Sequence, residues 1–71
     1  MKYRIETFGG PNKLIYRKNG LVEEEYDYET KEWVKTEDAR EAFDPYVTHS
    51  GQIVDEEEVK KTIREWEERN K

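Results

Sequence analysis

Apolar and polar positions alternate through the first half of the chain. Tyr3 and Ile5 interleave with Arg4 and Glu6, the period of two that a half-buried strand shows. The same reading makes Lys13 to Arg17 a second strand and Leu21 to Tyr28 a third, with Trp33 and Val34 closing a short fourth. Gly9-Gly10-Pro11-Asn12 punctuates the chain as a turn or loop, and Glu29 to Glu32 is polar and turn-like. The period then changes. Thr36 is placed as an N-cap before Glu37 and Asp38, and Ala39, Ala42 and Phe43 form a short apolar stripe at helical spacing. Pro45 drives Asp44 out of helical geometry and ends that helix. Tyr46 to Gln52 reads as irregular.

The last element has the clearest signals. Asp55 is an N-cap with Glu58 at the third helical position, a capping-box pattern with aspartate in the cap role. Val54 and Val59 stand where a hydrophobic staple would join them. Val59, Ile63 and Trp66 make one stripe, and Glu56–Lys60, Glu57–Lys61 and Glu65–Arg69 are favourable pairs one turn apart.

The connection Lys18-Asn19-Gly20 sets the register between the second and third strands. A two-residue Asn-Gly loop would pair Tyr16 with Glu23 and Ile15 with Glu24, mixing apolar and acidic residues on both faces. A three-residue loop with Gly20 left-handed and a bulge pairs Arg17 with Leu21 and Tyr16 with Val22. It gathers Leu14, Tyr16, Val22, Tyr26 and Tyr28 on one face. Because a one-residue slip exchanges the faces, the apolar count favours the three-residue loop. Glu24 then stays on the apolar face, at a rim. The expected fold is α+β: a three- to four-stranded antiparallel meander with a short helix and a longer C-terminal helix packed on one face. Its strands fall near ~2–8, ~13–17, ~21–28 and ~32–35, and its helices near ~37–43 and ~56–69.

Length and composition narrow this reading. The chain has 71 residues, which makes one domain. Charged residues are 44% and hydrophobic ones 32%, a balance that leans toward disorder. Against that, 13 basic residues nearly offset 18 acidic ones, and nine aromatics bury much area each. A core this small leaves room for completion by a second copy, so a homodimer is one expectation. The net charge of -5 disfavours nucleic acid, whose binding depends on cations against phosphate, and equally disfavours anionic lipid. It permits a basic protein partner. There is no cysteine, which removes disulfides, thiol catalysis and cysteine-based zinc sites and suits a cytoplasmic location. No signal peptide and no membrane-spanning apolar run is visible.

Two resemblances are carried by the same residues. The run Leu14-x-Tyr-Arg-x-Asn-Gly-x-Val-Glu, followed by Tyr26-Asp-Tyr-Glu-Thr-x-x-Trp33-Val and a helix opening Asp-Glu-Glu-Glu, resembles small bacterial proteins. That resemblance implies a fold and attaches no activity. The piece Tyr26-Asp-x-x-Thr-x-x-Trp33 also looks like part of a Kelch repeat, in which it joins two strands of a propeller blade. The Gly-Gly pair of that family is not beside it, and a chain of this length cannot close a propeller. The shared feature is an aromatic-flanked hairpin.

Candidate chemistry is sparse. His49 is the only histidine, with Ser50 beside it and Asp44 and Asp55 near in sequence. Adjacent His-Ser residues do not make a triad, because the side chains need not converge. No catalytic residue, cofactor site or metal site is assigned. Gly9-Gly10-Pro11 lacks the Gly-Lys-Ser/Thr ending of a phosphate loop. The aromatics Tyr3, Tyr16, Tyr26, Tyr28, Trp33 and Trp66 could stack bases, but interleaved acids would repel a nucleic-acid backbone, so they are read as core. What remains is Glu23, Glu25 and Asp27 at alternate positions of one strand, a solvated face or an acidic patch, with Ile15 and Leu21 beside it as apolar anchors. Tyr46 and His49, in the segment Tyr46 to Gly51, are the further candidates for partner contact. The expected function is a non-enzymatic acidic interaction or regulatory module. The alternatives are a protein that mimics nucleic acid and, more distantly, a small enzyme.

Overall fold

The computed structural model describes residues 1–6, 13–46 and 51–70. Five strands alternate and pair: β1 (Lys2–Glu6), β2 (Leu14–Asn19), β3 (Val22–Asp27), β4 (Glu32–Lys35) and β5 (Gln52–Val54). They form one antiparallel sheet in the order β4-β3-β2-β1-β5. Two helices complete the fold, α1 (Glu37–Ala42) between β4 and β5, and α2 (Glu56–Arg69) after β5. The α+β architecture read from the sequence is present, with one strand more than expected. Gln52 to Val54 adds to the outer side of β1, placing Tyr3 opposite Val54 and Arg4 opposite Ile53. The proposed turn Gly9 to Asn12, and most of the segment read as irregular, lie outside the described residues.

Both helices are capped as their sequences dictate. Thr36 is extended (φ -138°), and its hydroxyl accepts from the Ala39 amide at 3.0 Å. The Asp55 carboxylate accepts from the Glu58 amide at 2.9 Å, and Val54 and Val59 pack in one cluster, so the staple is formed. Thr62, buried within α2, donates its hydroxyl to the Glu58 carbonyl at 2.9 Å, which satisfies a polar group the core would otherwise penalise.

The register of β2 and β3 corrects the expected one. Tyr16 lies opposite Glu25, Arg17 opposite Glu24 and Asn19 opposite Val22. The connection is the two-residue pair Gly20-Leu21, with Gly20 at φ +64° in the first central position, the place a type II′ turn reserves for glycine. Relative to the three-residue loop this exchanges faces, so Tyr16 and Val22 stand on opposite sides of the sheet. The sheet has two apolar faces, so a count made for one face does not decide the register. On the first, Ile15, Tyr26 and Val59 are buried together with Tyr3, Ile5, Tyr28, Trp33, Val54 and Ile63 against them. On the second, Tyr16 is buried with Ala39 and Ala42, flanked by Leu14 and Phe43. The long helix α2 covers the first face and the short helix α1 the second.

Glu24 has a structural reason on the apolar face. Its carboxylate receives the Arg17 guanidinium at 2.8 Å, and that guanidinium lies 4.4 Å from the centre of the Trp33 ring. Charge pairing and cation–π stacking together let an Arg–Glu pair lie beside aromatic rings.

Candidate functional site

Strand β3 carries acids at every second position, and the register aims them one way. Glu23, Glu25 and Asp27 share the α1 side of the sheet with Leu14, Tyr16 and Lys18 of β2, and with Glu32 and Val34 of β4. Lys18 stands 3.9 Å from Glu23, a long and partly exposed pair worth little. Asp27 folds back on its own turn, accepting from the amides of Glu29 at 2.9 Å and Thr30 at 3.4 Å. That bracing holds the Tyr28–Lys31 connection, in which Lys31 takes a left-handed φ of 61° and donates its amide to the Asp27 carbonyl at 2.8 Å.

Glu25 is the most constrained of the row. It is half-buried beneath the start of α1, where the Thr36 hydroxyl donates to it at 3.2 Å. Burial pushes its carboxyl above the usual range, the Thr36 hydrogen bond pulls the other way, and the nearby Asp38 and Asp27 push it further up. Tyr16, across the ladder from Glu25, is raised by burial first and then by Glu25, Glu6 and Asp38. The field around these two residues is therefore set by acids from β1, β3 and α1.

The other candidates separate. Ile15 is 0% exposed beneath α2, so it offers a partner no surface. This corrects its expected role as an anchor beside the acids, and the cause is the exchanged register. Leu21 is 96% exposed at the β2–β3 turn, next to the Glu23 end of the row, and Tyr46 is 96% exposed after α1. His49 lies outside the described residues. Among the described residues, no group of three or more His, Cys, Asp or Glu stands together as a metal site would require. Among the described residues, no helix is long and apolar enough to cross a membrane.

A depression of about 400 Å³ is lined by Glu25, Asp27, Glu29, Val34 and Thr36 and reaches Tyr28 and Trp66. Tyr28, Glu29 and Trp66 also line a larger groove of about 710 Å³ at the end of α2. The two hollows thus run from the acidic row to an aromatic pair. Sequence reasoning missed the second, because it assigned Tyr28 and Trp66 to the core, and nothing local marks Trp66 as a partly exposed residue at the end of its stripe. Comparison of the chain with protein-family models, with curated proteins and with solved structures finds no match.

Proposed function

We propose that this chain is a non-enzymatic interaction module that takes a basic segment of a protein partner along β3. One observation carries the reading. Glu23, Glu25 and Asp27 are aligned on one face with Glu32, and the first turn of α1 brings Asp38 into the same field. Within the described residues, the cation paired with this row is Lys18, at the long distance of 3.9 Å. Acids gathered along one strand attract a cationic partner and steer its approach. Leu21, in open solvent at the end of the row, supplies an apolar contact beside the charge.

The nucleic-acid-mimic reading needs a double row of acids at phosphate-like spacing. Lys2, Arg4 and Lys18 share the acidic face, and Lys60, Lys61, Arg64 and Arg69 interleave the acids of α2, which favours the interaction module.

Affinity capture with the chain and with a Glu23→Lys/Glu25→Gln variant tests the reading. The chain should retain basic proteins that the variant loses, and raised salt should release them. Identical sets bound to both would overturn it.

A further inference from the structure

We infer that the groove between the β3–β4 turn and the last turns of α2 seats an arginine side chain of the basic partner; this rests on the interaction reading above and specifies where the partner is gripped. The groove is about 710 Å³, and Tyr28 and Trp66 line it as a tilted pair with ring centres 4.7 Å apart. Tyr28 is fixed in place because its hydroxyl donates to the Lys13 carbonyl. An aromatic surface held this firmly costs a ligand little ordering when it docks.

Charge selects the ligand. Glu29, Glu67 and Glu68 line the groove against Lys31 and Arg64. Lys31 lies 3.6 Å from Glu67, with both side chains about half exposed or more, so the pair is weak and an incoming cation can displace it. The C-terminal end of α2, the negative pole of the helix, opens at the same place, where Asn70 lines the groove.

Aromatic ring, carboxylate and guanidinium already occur together in this molecule. Arg17 stacks on Trp33 at 4.4 Å while Glu24 holds it at 2.8 Å. The groove offers the aromatic and carboxylate parts of that arrangement to an arginine from outside. A guanidinium is planar and weakly hydrated, so it stacks on a ring and pairs with a carboxylate together, which an ammonium does less well. The groove meets the depression beneath the acidic row at Tyr28, Glu29 and Trp66, so one basic segment can engage both.

A Trp33→Phe background leaves Trp66 as the sole tryptophan emitter, and a capped hexa-arginine peptide is the probe. The expected result is a saturable change in Trp66 emission. Its apparent affinity should fall about tenfold in a Glu29→Gln/Glu67→Gln variant and by several-fold when hexalysine replaces hexa-arginine. The absence of a saturable change, or equal affinity for the groove variant, overturns the inference. A Glu23→Lys/Glu25→Gln chain separates the two proposals. Loss of binding there with none in the groove variant sinks the groove and leaves the acidic row. Loss in the groove variant alone does the reverse.

Discussion

Glu25 occupies a place that suits its neutral form better than its charged one. Burial raises its carboxyl, and Asp38 and Asp27 add to the effect. The folded chain therefore holds this proton more tightly than the unfolded chain does. Stability from this group is full below the unfolded value, about 4.3 for glutamate, and is lost as pH rises through the higher folded value. Glu25→Gln keeps an oxygen for the Thr36 hydroxyl and removes the charge. It should raise the thermal midpoint at neutral pH and flatten the decline in stability just above the unfolded value. Melting curves across that range check this, and an unchanged slope would mean that Glu25 is already paired. Tyr28 follows the same sign at the alkaline end. Burial, with a smaller push from Tyr26, moves its phenol up to about 12, so its share of stability persists until the solution is strongly alkaline. Glu24, close by on the opposite face, shows a contrasting arrangement, a carboxylate paired with the Arg17 guanidinium at 2.8 Å.

Among the elements, those written in local chemistry were readable and those written in register were not. The caps Thr36 and Asp55, the Val54–Val59 staple and the stripe ending at Trp66 all depend on residues within one or two turns, and the sequence displays them. The β2–β3 turn does not display its geometry. Asn19-Gly20 is a strong hairpin signal, yet the central pair is Gly20-Leu21, and the choice is settled by packing on both faces, which a single strand cannot show. The candidate site inherits that ambiguity: Glu23, Glu25 and Asp27 stay together in any register, but which apolar residues join them does not. The strand β5 was missed because three residues give too little period to read. Gly51 sits just before it, where a Cβ would collide with the Ile5 carbonyl and with Glu6, and its own carbonyl accepts from Arg4 at 3.2 Å. Gly51→Ala should cost about 1–3 kcal/mol through forced backbone movement. Gly20→Asn meets no atom within 4 Å, so its cost is confined to the strain of a side chain at positive φ, about 1 kcal/mol. Denaturant midpoints for the two variants should fall in that order, and the reverse order would displace Gly51 from its role.

At the scale of the whole molecule, the sheet is a divider between two cores of unequal depth. The α2 side is built from large aromatic and branched residues, whereas the α1 side closes over Tyr16 with two alanines. The acids of β3 belong to the thinner side and are partly exposed there. The thicker side ends in the Tyr28–Trp66 pair, so the two proposed contacts adjoin at the Asp27 end of β3.

Strand β1, first in the chain, is flanked by β2 on one side and by β5 on the other, so Tyr3 meets Val54 across most of the sequence. A backbone severed between Tyr46 and Gly51 would yield a four-stranded piece with one bare ladder and one bare apolar face, and a shorter piece carrying β5 and α2 that matches both. Neither should be helical to the extent of the intact protein, and mixing them should restore the missing far-ultraviolet helical signal. Spectra that merely add would show that the two halves need their covalent tether to recognise each other.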